Sequence, residues 1–165
     1  DVCSSDLFKA FPTKQITLTF FITMVDYNDH LETESLLPSL PRPQDTLKDM
    51  LIKGGKTIFS IAETEKYAHV TYFISAGKEE PFETEKQVLI PSIKTKDYVS
   101  HPCMSANEIT KAVLKSLKEK PADFYLINYA NADMVGHSGN FDATVKAVEC
   151  LDKQLKKLYE TVAFV

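Results

Sequence analysis

The chain has 165 residues, of which 44% are hydrophobic and 25% are charged, and its formal net charge at pH 7 is −4. This composition is typical of a globular protein with one domain or parts of two, and no stretch approaches the ~18 consecutive apolar residues of a membrane helix. The negative charge argues against nucleic-acid binding. The three cysteines form no CxxC pair, which indicates inert thiols in a reducing compartment and neither a disulfide framework nor a zinc knuckle.

The N-terminal part combines an unusual leader with one predicted strand. Residues 1–7 lack the apolar core of a signal peptide and match the translation of a common sequencing adapter, so we expect them to be a sequencing artefact. Residues 16–23 are rich in β-branched and aromatic side chains, which predicts a strand. Pro38, Pro41 and Pro43 follow. Because proline opposes both helices and central strands, we expect a linker or a domain crossing there.

A first helix is predicted after the prolines. Asp45 and Thr46 are residue types that cap the start of a helix. Gly54 and Gly55 should end it, since glycine readily adopts the left-handed backbone that follows many helices. The residues predicted for its core face are Leu47, Met50, Leu51 and Ile52.

The middle of the chain alternates between strand and helix patterns. A strand is predicted over 57–62, whereas residues 63–73 fit either an extended run or a short helix. Residues 76–91 resemble a hairpin or an excursion loop, with an apolar piece near its end. Ser105 and Glu108 have the spacing of a capping box and predict the start of a second long helix.

The last third of the chain predicts a helix, a strand and a further helix. The strand covers 124–128, after a proline. The core face of the helix before it is predicted to consist of Ile109, Val113, Leu114 and Leu117. The final helix has an apolar stripe of Phe141, Val145, Val148, Leu151, Leu155 and Leu158. This order of helices and strands predicts a layered α/β fold with parallel strands.

Asp133 and His137 form the first candidate site. They follow the predicted strand 124–128, and open α/β sheets build their sites beyond the carboxyl ends of the strands. Divalent metals bind carboxylate oxygens and imidazole nitrogens, and a spacing of four residues brings both to one side if the loop makes a helical turn. Gly136 would allow close packing or a sharp turn. A helix-capping aspartate and a surface histidine explain the same pattern, and two ligands alone do not complete a metal site.

Glu65 and Lys66 form the second candidate site. They also follow a predicted strand and should reach the same edge of the sheet. The Lys66 ammonium could neutralise a transferred phosphoryl group, with an acidic neighbour orienting it. A solvated ion pair on a turn is the alternative. His69 is interpreted as a packed, hydrogen-bonded histidine and not as a ligand.

These two stretches resemble sequence blocks of one enzyme family. Residues 61–73, IAETEKYAHVTYF, resemble the ETEKYAHVTFF block of the 2,3-bisphosphoglycerate-independent phosphoglycerate mutases. Residues 128–139, NYANADMVGHSG, resemble the NYANxDMVGHTG block of the same family. Segments 88–92 and 104–106 stand between the two blocks in the family order. The resemblance extends over roughly residues 8–160.

The resemblance implies a fold and a domain organisation. The family has a layered α/β/α metal-binding domain, similar to alkaline phosphatase, which is interrupted by an inserted phosphotransferase domain. Residues 8–38 would be the end of the inserted domain, 39–43 the crossing linker, and 44–165 a partial metal-binding domain. The expected fold class is therefore an incomplete alkaline-phosphatase-like α/β domain with a short piece of the phosphotransferase domain.

The resemblance also implies a chemistry. In the family, a serine activated on one of two Mn²⁺ ions takes the phosphoryl group from phosphoglycerate and returns it to the other hydroxyl. Asp133 and His137 match ligands of one manganese. Lys66, with Glu65 beside it, matches the lysine near the transferred phosphoryl group. Ser138 stands where the family usually has threonine.

Several family features are not found in these 165 residues: the serine nucleophile, the substrate-binding arginines and the remaining metal ligands. We therefore expect an internal fragment that is inactive and binds metal weakly. The parent is expected to be a cytoplasmic, monomeric glycolytic enzyme that acts on a small phosphoglycerate and has no nucleic-acid or membrane partner. Another metal-dependent phosphomonoesterase, or a non-catalytic binding protein on the same sheet, remains an alternative.

Overall fold

A computed structural model describes residues 20–25, 34–37, 41–95 and 97–163. The chain separates into two compact units, Asp1–Arg42 and Pro43–Val165. In the first unit, the short strands β1 (Ile22–Thr23) and β2 (Glu34–Ser35) pair in parallel. Residues 1–7 and most of the strand predicted over 16–23 lie outside the described residues.

The second unit is built on a parallel sheet of three strands. These are β3 (Ile58–Glu63), β4 (Glu85–Ile90) and β5 (Phe124–Asn128), in the order β4-β3-β5. Ile58 of β3 pairs with the first residue of each neighbour, so the three carboxyl ends reach one edge together. The predictions of β3, β5 and a parallel sheet are confirmed. Residues 76–91 were predicted to be a hairpin or an excursion loop; the hairpin is wrong, because the apolar end of this stretch forms β4, parallel to β3.

Within the described part of the chain, six helical segments connect and cover the strands. A 3₁₀ turn (Thr64–Lys66) and the short helix α2 (Tyr67–Val70) follow β3 directly, so residues 64–70 of the ambiguous region 63–73 are helical, whereas Glu63 ends β3. The α-helices are α1 (Leu47–Lys53), α2 (Tyr67–Val70), α3 (Ala106–Glu119), α4 (Asn131–Gly136) and α5 (Phe141–Val162). No helix among the described residues is long and apolar enough to cross a membrane.

The main core lies between the sheet and α3. All six residues of β3 are buried, and Phe59 and Ile61 pack with Ile109 and Val113 of α3. A smaller cluster joins Val135 of α4 to α5. Burial of apolar side chains at helical spacing on α3 confirms the predicted core face, with Leu114 and Leu117 half-buried.

The predicted core face of α5 is wrong. Its buried residues are Ala143, Ala147, Cys150 and Gln154. Most of the larger side chains predicted to be buried are exposed, and Phe141 retains 79% of its accessible surface. Small side chains let α5 pack closely on α3 and α4, so this face is buried although the apolar stripe is more hydrophobic.

The predicted face of α1 is wrong in a similar way. Leu47 and Met50 are exposed, whereas Lys48 is fully buried. The burial of Lys48 is compensated by an ion pair, since its Nζ lies 2.5 Å from Oε1 of Glu85. The ends of α1 are as predicted: Thr46 caps the helix in a capping box, and Gly55 adopts a φ of +69° after it.

Two other local predictions fail. Ser105 stands at the start of α3 but makes no capping bond, because its hydroxyl donates to the carbonyl oxygen of Pro91 (2.9 Å). Cys103 and Cys150 are joined in a disulfide, which contradicts the prediction of inert thiols. The fold brings their Cα atoms to 5.6 Å although 47 positions separate them in sequence.

Candidate functional site

The two predicted site stretches meet at the carboxyl edge of the sheet. The turn after β3 carries Lys66, and α4, which follows β5, carries Asp133. The Lys66 ammonium forms an ion pair with Oδ2 of Asp133. The Lys66 side chain is 17% exposed and that of Asp133 is 47% exposed, so the pair is accessible from solvent. Two segments far apart in sequence therefore share one polar site.

Asp133 lies on α4, and His137 lies one helical turn later, directly after the end of α4. Nε2 of His137 is 3.3 Å from Oδ1 of Asp133. The hydrogen bond from Lys66 lowers the pKa of Asp133 below its ordinary value, against the opposing effect of desolvation, and the charges of Lys66, His137 and His69 add to this lowering. Asp133 is therefore held as a carboxylate, which is the form that binds cations.

The turn after α4 is stabilised by Ser138 and Gly139. The Ser138 hydroxyl donates to the carbonyl oxygen of Val135 (2.6 Å) and accepts from the amide of Asn140 (3.1 Å). A threonine hydroxyl could make the same bonds. Gly139 adopts a φ of +71°, whereas Gly136, which the sequence singled out, lies within the helix.

Glu65 points to a different neighbour. Its carboxylate accepts a hydrogen bond from the Tyr98 hydroxyl (2.9 Å). Burial raises the pKa of Tyr98, and the hydrogen bond to Glu65 raises it further, so this phenol remains protonated as a donor. The acidic partner of Lys66 is therefore Asp133. Glu65 connects the turn after β3 to the segment around Tyr98.

His69 is exposed and does not have the packed environment that the sequence suggested. Its ring stands edge-on to that of Phe73, with centroids 5.2 Å apart. Its charge contributes to the lowered pKa of Asp133. It thus belongs to the electrostatic surroundings of the site.

Glu63, just before the turn that carries Lys66, is a buried carboxylate that sequence reasoning did not single out. It is the last residue of β3 and is fully buried. Its carboxylate accepts hydrogen bonds from the Ser92 hydroxyl (3.0 Å) and the Ser105 amide (3.4 Å). Burial raises the pKa of Glu63 despite these bonds. The signal available in the sequence was an acidic residue at the carboxyl end of a buried strand.

The donor chemistry at this edge fits part of a metal site. Asp133 offers a carboxylate and His137 an imidazole, in the i, i+4 arrangement that the sequence predicted. Among the described residues, no group of three or more His, Cys, Asp and Glu side chains could hold a metal ion. A catalytic site needs more protein ligands than these two.

A cavity lies at the opposite end of the strands. It has a volume of about 510 Å³. Its lining includes Ile58 and Glu85, the first residues of β3 and β4, together with Thr57 and Pro121, which precede β3 and β5. It is therefore separate from the candidate site, which is an open, polar surface at the carboxyl edge.

Comparisons with known proteins point to one family. The profile of the metalloenzyme superfamily matches residues 30–165. A 2,3-bisphosphoglycerate-independent phosphoglycerate mutase of Pseudomonas aeruginosa is 44% identical over 94% of this chain, and one of Legionella pneumophila is 40% identical over the same share. Each alignment covers 30% of the relative, so the chain spans about a third of their length.

A solved structure agrees with these relatives. The phosphoglycerate mutase of Leishmania mexicana, crystallised at low cobalt concentration, aligns with a TM-score of 0.78 and 28% identity, over 96% of this chain and 29% of that one. The alkaline-phosphatase-like α/β fold implied by the sequence blocks is thereby confirmed. The chain belongs to the metalloenzyme superfamily, and its relatives are 2,3-bisphosphoglycerate-independent phosphoglycerate mutases.

Proposed function

We propose that this chain is part of a manganese-dependent phosphoglycerate mutase, which interconverts 3-phosphoglycerate and 2-phosphoglycerate through a phosphoserine intermediate. The observation that carries the proposal is the ion pair between Lys66 and Asp133. It joins the two sequence blocks that resemble the mutase family, and the relatives that match this chain carry that name.

The side chains have distinct roles in this proposal. Asp133 and His137 would hold one of two Mn²⁺ ions, which when bound supplies a Lewis acid that offsets phosphoryl charge. The Lys66 ammonium would bind an oxygen of the transferred phosphoryl group as a point charge. Glu65, fixed by Tyr98, would hold the turn that carries Lys66.

The remainder of the active site would come from other parts of a longer protein. We place residues 8–38 in the inserted phosphotransferase domain, 39–43 in the linker and 44–165 in the metal-binding domain, with 1–7 as a sequencing artefact. The nucleophilic serine and the other ligands would lie outside these residues, so the isolated chain should be inactive. The parent would be a monomeric, cytoplasmic enzyme of glycolysis.

A chimera tests the proposal directly. Residues 43–163 would replace the matching stretch of the Pseudomonas aeruginosa relative, which is 44% identical to this chain. The purified chimera would receive Mn²⁺ and 3-phosphoglycerate, and phosphorus NMR would follow the products. We expect 2-phosphoglycerate to accumulate to equilibrium without release of free phosphate.

Two variants and two alternative outcomes complete the test. Lys66→Met in the chimera should lower the rate by about a hundredfold or more, because it removes a cation from the phosphoryl site. Lys53→Met, on the exposed end of α1, is the matched control and should leave the rate unchanged. Release of free phosphate would favour a phosphomonoesterase. A chimera that folds but converts no 3-phosphoglycerate would favour a non-catalytic protein.

A further inference from the structure

The disulfide between Cys103 and Cys150 lies outside the proposed active site. It links the turn before α3 to the middle of α5, and its Cα separation of 5.6 Å is within the usual range for disulfides. The chain has only one other cysteine, Cys3. In a cytoplasmic protein, the location proposed above for the parent, a disulfide is more often a reversible redox site than part of a structural framework.

A cationic cleft opens onto this disulfide. Its volume is about 420 Å³, and both cysteines line it. The charged residues that line it are Lys153, Lys156, Lys157 and Glu160, so three positive charges and one negative charge leave a net charge of +2. Lys156 is 3.8 Å from Glu160, and Lys157 donates to Gln154 (3.1 Å). The cleft is therefore suited to a small anionic molecule.

We propose that Cys103 and Cys150 form a reversible dithiol–disulfide site that reacts with a small anionic thiol of the glutathione class in this lysine-lined cleft. Ammonium groups near a cysteine favour the thiolate over the thiol, and the thiolate is the reacting form. Glutathione is a tripeptide with two carboxylates and one ammonium group, so its net negative charge complements the net positive charge of the cleft. This proposal does not depend on the proposed mutase activity.

The exchange balances as a two-electron reaction. A glutathione thiolate attacks one sulfur of the disulfide, the S–S bond breaks, and a mixed disulfide and one protein thiolate result. A second glutathione thiolate attacks the mixed disulfide and releases oxidised glutathione and the other protein thiolate. Both protein thiolates take up protons, so two reduced glutathiones are oxidised for each disulfide reduced.

Residues 102–105, which we call the clasp, lie directly before α3. The disulfide joins the clasp to α5. Asn131, the first residue of α4, donates from Nδ2 to the carbonyl oxygens of Pro102 (3.3 Å) and Ala147 (2.8 Å). Met104 adopts a φ of +42°, a left-handed conformation that is unfavourable for a side chain such as methionine. Reduction would release the clasp from α5 and loosen the start of α4.

The test uses the full 165-residue chain with Cys3→Ser, so that only the pair can react. The chain is equilibrated at graded ratios of reduced to oxidised glutathione, quenched with iodoacetamide and analysed by mass spectrometry. We expect a reversible two-electron transition between an intramolecular disulfide and a dithiol, with a glutathione adduct during the approach. A chain that forms no intramolecular disulfide at any ratio, or one that glutathione never reduces, would overturn the proposal.

Variants of the cleft test the role of its charge. Lys153→Gln with Lys157→Gln should slow reduction by glutathione about threefold to tenfold and leave reduction by uncharged 2-mercaptoethanol unchanged. Lys146→Gln, on the same helix but not lining the cleft, is the matched control. Equal slowing with both thiols, or none with glutathione, would contradict an anionic partner.

Hydrogen exchange tests the consequence for the clasp. In the dithiol form, amides of 102–105 and of α4 should exchange faster, while those of β3 keep their protection. Cys103→Ser with Cys150→Ser should reproduce the dithiol pattern under oxidising conditions. Identical exchange in the oxidised and reduced chains would refute the claim that the bond holds the clasp.

Discussion

Lys48 and Glu85 form a fully buried ion pair between α1 and the start of β4. Oε1 of Glu85 accepts from the Lys48 ammonium (2.5 Å) and the Ser60 hydroxyl (2.6 Å), and both charged side chains have 0% exposure. Lys48 also donates to the carbonyl oxygen of Val70 (2.6 Å), at the end of α2. The pair therefore joins α1, the sheet and the helix that follows Lys66.

Lys48→Met should be strongly destabilising, because it leaves the Glu85 carboxylate buried without its cation. Breaking a buried pair in this way costs about 3–5 kcal/mol. For a unit of about 120 residues, this loss corresponds to a fall in Tm of roughly 12–20 °C. Chemical and thermal denaturation at pH 7 measure both quantities. Lys53→Met, an exposed lysine on the same helix, should change stability by no more than about 0.5 kcal/mol.

The pH dependence provides an independent check. Burial alone would raise the pKa of Glu85, but hydrogen bonds from Lys48 and Ser60, and the charge of Lys48, outweigh it, so the pKa lies below its ordinary value. Its contribution to stability is therefore present above the unfolded-state pKa and is lost as pH falls through the lower folded-state pKa. In Lys48→Met the carboxyl becomes easier to protonate, so the difference from wild type should shrink as pH falls.

A double substitution would show whether the unpaired charge is the cause. Lys48→Met with Glu85→Leu removes both charges and should recover at least half of the lost stability. A single variant as stable as wild type at pH 7 would refute the reasoning, as would a double variant no more stable than the single one.

Three further predictions concern other titratable or reactive groups. Burial raises the pKa of Glu63, so its contribution to stability is fully present below the unfolded-state pKa and is lost as pH rises through the folded-state pKa. Glu63→Gln should flatten this part of the stability–pH curve, and an unchanged curve would contradict the burial argument. Lys66→Met should raise the pKa of Asp133, measured by carboxyl NMR, since the Lys66 hydrogen bond is the largest cause of its lowering. Cys103→Ser with Cys150→Ser should lower the free energy of unfolding by about 4 kcal/mol under oxidising conditions, as expected for a crosslink across 47 positions; under strong reductant, denaturation curves of variant and wild type should nearly coincide.

The sequence was sufficient to predict the elements that meet at the site. Strands β3 and β5 have clear apolar patterns, and parallel strands place their carboxyl ends at one edge, so the proximity of Lys66 and Asp133 followed from topology. Their direct pairing did not follow, because Glu65 was an equally plausible acidic partner. Only the positions of the side chains show that Glu65 turns to Tyr98.

The failures have a common physical origin in long-range packing. The buried face of α5 consists of small and polar side chains, and a search for the most hydrophobic stripe selects the opposite, exposed face. The burial of Lys48 was not predicted, because its partner, Glu85, is 37 positions away in sequence. Cys103 and Cys150 were predicted to be inert thiols because the cysteines form no CxxC pair, whereas the fold joins these two across 47 positions. Sequence patterns describe residues that are close along the chain. They do not show which distant residue pairs with a buried charge or forms a disulfide with a given cysteine.

The central claim is that Asp133 and His137 are one part of a manganese site that other segments of a longer protein complete. A calorimetric titration with Mn²⁺ tests it most directly, on the isolated chain and on the chimera with the Pseudomonas aeruginosa relative. We predict weak binding without defined stoichiometry for the isolated chain, and tight binding for the chimera that Asp133→Asn weakens sharply. Tight stoichiometric binding by the isolated chain, or a chimera whose affinity is unaffected by Asp133→Asn, would contradict the account.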